Sequence, residues 1–130
     1  MKQLIASFFI CLMFTHCGPS APPEKPLQEI ADEYNKKCPQ MIDSETRLDG
    51  IEIRDNSAIV YKYTLVNLLA ENVDTVEFRR ALWPGILSLI KTSPAMKQLR
   101  DRQTRFEYYY QDKQNRFIYN FKVTANDYNS

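Results

Sequence analysis

The sequence predicts an α+β fold, with two α-β-β units forming a four-stranded antiparallel sheet and helices packed on one face. Three observations carry that prediction. Apolar residues recur at helical spacing over 27–38 and again over 76–90, and two stretches, 46–65 and 106–123, alternate apolar and polar residues around a short polar loop. About 100 residues follow the proline-rich segment that ends at Pro26, enough for one core and too few for two.

The first helix is set by Leu27, Ile30, Ala31, Tyr34 and Cys38, which share one face. Glu29, Asp32 and Glu33 near its start and Lys36 and Lys37 near its end suit the helix dipole, and Pro39 stops it. That spacing turns Cys38 toward the core. A polar connection through Asp43, Ser44 and Glu45 leads to an extended run from Thr46 to Ile53, whose alternation changes phase near Gly50, the mark of a β-bulge. Arg54-Asp55-Asn56-Ser57 is a hairpin loop, after which Ile59, Tyr61, Tyr63 and Leu65 alternate with Val60, Lys62, Thr64 and Val66. Asp74-Thr75-Val76-Glu77 has capping-box spacing with Asp as the cap, and opens a helix striped by Phe78, Leu82, Ile86, Leu89 and Ile90. Proline removes an intrahelical bond, so Trp83-Pro84-Gly85 predicts a kink or a division into two shorter helices. Ser93-Pro94 begins a short helix reaching about Arg102, with Met96 and Leu99 as its core contacts. The last hairpin sets Phe106, Tyr108 and Tyr110 against Phe117, Tyr119, Phe121 and Val123 across Asp112-Lys113-Gln114-Asn115, each aromatic pair contributing roughly 0.2–1 kcal/mol. The domain is expected to span 27–127, with a tail at 128–130.

Ahead of the domain lies an address. Lys2 followed by an apolar run from Leu4 to Phe14 has the length of a secretory signal core and is too short to span a bilayer. Phe14-Thr15-His16-Cys17 resembles the lipobox of bacterial lipoproteins. The resemblance implies a signal peptide over 1–16 and a lipid on Cys17, holding the protein at a bacterial membrane, expected to be the periplasmic face of the outer membrane. The family pattern has a small residue where His16 stands and usually Leu where Phe14 stands. A product cut beyond Cys17 would instead be secreted or periplasmic. Two or three acyl chains anchor stably, because each buried CH2 contributes about 0.8 kcal/mol and one chain alone is marginal. Residues 17–26 then comprise the lipidated cysteine and a Pro-rich tether, whose nine residues from Gly18 to Pro26 reach roughly 28 Å in polyproline II.

Composition excludes several function classes. Removal of the signal takes Lys2 from the 17 basic side chains and leaves the 16 acidic ones balanced, so no strong field recruits nucleic acid. It also takes His16, the only histidine, and with it the commonest general base and transition-metal ligand. No metal or other cofactor is expected. Of the 3 cysteines, Cys11 leaves with the signal and Cys17 would carry lipid, so Cys38 is the sole thiol, read as a buried small hydrophobe before a disulfide or a nucleophile. The chain is expected not to be an enzyme.

Two sets of residues remain as candidate sites. Asp43, Glu45, Arg47 and Asp49 form the densest charged cluster, and Tyr109 points away from its neighbours Tyr108 and Tyr110, so these five are possible partner contacts. Trp83, Tyr108 and Tyr119 are possible lining for a small apolar ligand between the sheet and the 76–90 helix, which would need a cavity of roughly 300 Å³ or more. The run from Cys38 to Asp49 and the run Tyr61-Lys62-Tyr63-Thr64-Leu65-Val66-Asn67 resemble a group of small exported bacterial proteins, or lipoproteins, of unassigned function. That resemblance implies an exported α+β domain and no catalytic residues.

The expected function is a lipid-anchored, non-catalytic binding or accessory module of the cell envelope with an envelope protein as partner. The alternatives are an inhibitor or immunity protein for a periplasmic enzyme, a small-ligand-binding domain, and a small enzyme working through carboxylates.

Overall fold

Helix α1 (Leu27–Asn35) buries Leu27 and Ala31 of the apolar face read from its sequence, leaves Ile30 half-buried and Tyr34 exposed, and packs on the sheet over strand β2 (Thr46–Arg54). The computed structural model describes residue 18 and residues 23–130; the signal peptide expected over 1–16, Cys17 and part of the tether lie outside the described residues. Asn35 closes the helix onto β2. Its side-chain oxygen accepts the Ile51 N–H at 2.7 Å and its amide donates to the Ile51 carbonyl at 2.8 Å, where the pairing of β2 with β3 (Ala58–Leu65) shifts register between Leu48 and Gly50. This is the bulge expected from the sequence, and a Cβ added at Gly50 would lie 3.3 Å from the Asn35 side-chain oxygen, a tight approach that Asn35 would have to relieve by a small shift. Asp55 and Asn56 both take positive φ, 52° and 51°, as a tight hairpin between twisted strands requires.

The sheet corrects the expected architecture in two ways. It has five strands rather than four, in the order β1-β2-β3-β4-β5, because Gln40–Met41 adds a short edge strand, β1, against Leu48 and Arg47. It is also mixed rather than antiparallel. Strands β3 and β4 (Arg105–Asp112) pair in parallel, from Ala58 opposite Arg105 to Leu65 opposite Asp112. Helix α2 (Thr75–Thr92) carries the chain back between the two hairpins, so both central strands begin at the same end, which is the geometry of a helical crossover. Strand β5 (Phe117–Val123) completes the far edge by antiparallel pairing with β4.

Helix α2 begins at Asp74, whose carboxylate accepts the N–H groups of Val76 and Glu77, and it runs without interruption through Pro84. The expected division into two helices does not occur. Arg80 and Pro84 are both exposed, so the carbonyl that proline leaves without its usual donor lies on the water-facing side. Arg100 of α3 (Lys97–Asp101) finishes the other end, donating to the carbonyls of Ile90 and Ser93 at 2.6 and 2.8 Å. The helix α4 (Ala125–Asn129) was not foreseen. A capping box between Thr124 and Asp127 starts it, and its Tyr128 is buried against Phe106 with the hydroxyl donating to the Thr104 carbonyl at 2.9 Å.

Leu27, Ala31, Ile86, Ile90 and Leu99 from the helices meet Tyr61, Phe106, Tyr108 and Phe121 in one core on one face of the sheet. The other face is polar. There Glu107, 1% exposed, accepts from Arg54 and Asn120 at 2.9 Å, and although burial pushes its carboxyl up, the Asn120 bond and the Arg54 charge hold it below the usual range. Asp112, wholly buried, gathers the backbone N–H groups of Ala70, Gln114 and Arg116 with the Arg116 guanidinium, fixing the β4–β5 loop beneath the short turn at Ala70–Asn72.

The described end of the tether is tied to the domain. Arg102 donates to the Lys25 carbonyl at 2.5 Å and lies 3.4 Å from the Glu24 carboxylate, while Lys25 pairs with Glu33 at 2.7 Å.

Candidate functional site

Because α1 sits over β2 and α2 packs on β5, the middle of the helical face is left partly uncovered. Stacked tyrosines from the two parallel strands floor that gap. Tyr61 and Tyr108 stack at 5.0 Å, Tyr63 lies parallel to Tyr108 at 6.1 Å, and Tyr63 stacks on Tyr110 at 5.1 Å. The pairing of Tyr61 with Tyr108 and of Tyr63 with Tyr110 across the β3–β4 ladder produces this arrangement. Burial pushes all four hydroxyls up, that of Tyr110 to about 12.

Over this floor runs a groove of about 420 Å³. Phe78, Leu82, Ile86 and Leu89 of α2 form one wall, and Ile42, Leu65 and Leu68 form the other. Ile42, Leu68 and Leu89 are exposed at the rim, although the α2 stripe to which Leu89 belongs reads in the sequence as core. At the bottom, Tyr108 is 3% exposed and its hydroxyl is buried with no hydrogen-bond partner among the described residues. A buried donor without an acceptor is costly, and Tyr108 is one of the residues that line the groove. Asp43 marks one lip. Its carboxylate is committed to the N–H groups of Glu45 and Thr46 at 2.8 Å, which hold it below the ordinary carboxylate range.

The structure distributes the sequence-predicted residues over three surfaces. Tyr108 and Asp43 belong to the groove. Trp83 and Tyr119 line a separate hollow of about 460 Å³ on another flank of α2, with Arg79 stacked over Trp83 at 5.8 Å. Arg47 and Asp49 pair at 2.5 Å on the polar sheet face, where Asp49 also accepts from Thr64, and Glu45 accepts from Asn67 at 2.9 Å. Tyr109 is half-buried on that polar face against the exposed Phe117, with ring centres 5.4 Å apart. Cys38 is half-buried and packs against the core, its thiol 3.5 Å from the Tyr34 carbonyl and pushed up by burial. The groove residues that sequence reasoning missed are Ile42, Leu68 and the α2 wall. Apolar Ile42 and Leu68 within polar connections were the available signal.

The sequence profile of a domain of unknown function, DUF8479, matches residues 22–119. None of the curated proteins matches the chain in sequence. Among solved structures, a Pseudomonas aeruginosa protein described as secreted is similar at a TM-score of 0.67 and 15% identity, over 78% of this chain and 88% of its own. EpsS, a pilotin of the type II secretion system of Vibrio vulnificus, gives 0.59 and 10% identity over 79% and 90%. AspS, the corresponding pilotin of Vibrio cholerae, gives 0.58 and 9% identity over 78% and 90%. At these identities the likeness is one of fold.

Proposed function

The chain belongs to the DUF8479 family, and we propose that it is a lipid-anchored, non-catalytic accessory protein of the cell envelope that holds an apolar segment of a protein partner in the groove beside α2. The observation that carries this reading is the groove itself, with apolar walls and an exposed rim of Ile42, Leu68 and Leu89. Enclosed small-molecule sites cover most of their ligand's surface, whereas a channel open along one side suits side chains projecting from a partner's backbone. The fold shared with two pilotins and a protein described as secreted supports an exported setting. The signal-like segment ending at Cys17 supplies the anchor. The position of the only histidine, ahead of the domain at His16, supports a role in binding rather than chemistry.

Site-specific photocrosslinking in the host envelope tests the reading. A photoreactive residue at Leu89 or Ile42 is expected to capture one and the same protein, one at Tyr109 on the polar sheet face is not, and Leu68→Arg is expected to abolish the capture. Equal capture from Tyr109, or none from the groove positions, would refute it, and intact mass of the membrane-extracted protein beside Cys17→Ala tests the anchor.

A further inference from the structure

A second surface lies on the other flank of α2, at the edge of the sheet. Strand β5 pairs only with β4 among the described residues, so the main-chain N–H and C=O groups along its outer side have no ladder partner. Free edges are normally blunted by proline, by several charges or by brevity, yet the seven residues of β5 include no proline and a single charge, Lys122. The hollow of about 460 Å³ beside it and a neighbouring one of about 380 Å³ share Arg79, Trp83 and Tyr119, making one trough along the edge. Asn120, midway along the strand, gives its amide to Glu107, and its side-chain oxygen is buried with no donor among the described residues.

Charge selects the occupant. Arg79 and Lys122 are exposed and form no ion pair among the described residues, while the nearby carboxylate of Asp127 is committed to the Thr124 N–H and hydroxyl at 2.7 and 2.9 Å. We propose that an extended, acidic segment of a protein partner adds to β5 as a sixth strand. Its main chain completes the ladder, alternate apolar side chains enter the trough beside Trp83 and Tyr119, and the carboxylates between them lie on the opposite face, that of Lys122. This surface is independent of the groove.

The test uses the full chain in detergent and a labelled, end-capped heptapeptide alternating glutamate with valine and phenylalanine, beside its lysine counterpart. The acidic peptide is expected to bind with slowed amide exchange over residues 117–123, the lysine peptide at least ten-fold more weakly. Lys122→Glu should weaken the acidic peptide and strengthen the lysine peptide, a reversal of preference that a mere loss of stability does not produce. Failure of the acidic peptide to bind, equal binding of the two peptides, binding without protection of β5, or protection of β5 through dimerisation of the chain alone would each overturn the proposal.

Discussion

Tyr108→Phe removes one oxygen atom and leaves the aromatic floor in place, so it isolates the cost of one buried hydroxyl beneath the groove. The hydroxyl is buried with no partner among the described residues, whereas the ring stacks on Tyr61 at 5.0 Å. Leaving a buried polar group unpaired costs about 1–3 kcal/mol. Deleting it should therefore stabilise the free domain by about 1 kcal/mol, raising the melting temperature by about 4–8 °C for a domain of this size. Tyr128→Phe supplies the control of opposite sign. That hydroxyl donates to the Thr104 carbonyl at 2.9 Å in the core, and its loss strands the acceptor at a cost of about 1–2 kcal/mol. Urea unfolding of both variants, with unchanged m-values, measures the two effects. If Tyr108→Phe is destabilised as much as Tyr128→Phe, its hydroxyl is already satisfied in the free protein.

Three further outcomes follow from the packing. Asn35→Ala should cost about 2 kcal/mol in urea unfolding and speed exchange of the Ile51 amide, because both bonds that tie α1 to the β2 bulge are lost together. The tyrosine hydroxyls are pushed up, so their contribution is whole below pH 10, where unfolded tyrosine is neutral, and drains away as the pH rises through the Tyr110 value of about 12. Circular dichroism should show alkaline unfolding beginning above pH 10. Glu107 and Asp112 are held below the usual carboxylate range, so stability is full above about pH 4 and falls as acid protonates them. Asp112→Asn should flatten that acid limb and lower the urea midpoint at neutral pH.

What was legible in the sequence was local. The alternation of Ile59, Tyr61, Tyr63 and Leu65, the phase change at Gly50 and the Asp74 cap each depend on neighbours a few residues away, and each stands in the structure as read. The parallel pairing of Tyr61 with Tyr108 depends instead on how α2 carries the chain across the sheet, and no spacing within either strand encodes that. The groove escaped for a related reason. Phe78, Leu82, Ile86 and Leu89 look like any core stripe, and only the position of α1 over β2, away from α2, leaves part of that stripe uncovered. Trp83 and Tyr119 do not share a cavity with Tyr108, because consecutive helix positions differ by about 100°, which sends Leu82 and Trp83 to different flanks of α2. Helix α4 could have been found, since Thr124 and Asp127 stand at capping-box spacing.

The tie between Arg102 and Glu24–Lys25 has a mechanical consequence. Tension on the chain ahead of Glu24 enters the domain beside the start of β4, next to the first residues of β3. A pull from an occupant of the groove enters near Leu65 and Leu68, about 26 Å away along the eight residues of β3. The two forces thus stretch the central parallel pair lengthwise and load its interstrand hydrogen bonds in shear. In shear those bonds share the load and must fail together, whereas in peeling they give way one at a time, so the fold resists forces applied at these two places better than forces applied across its strands.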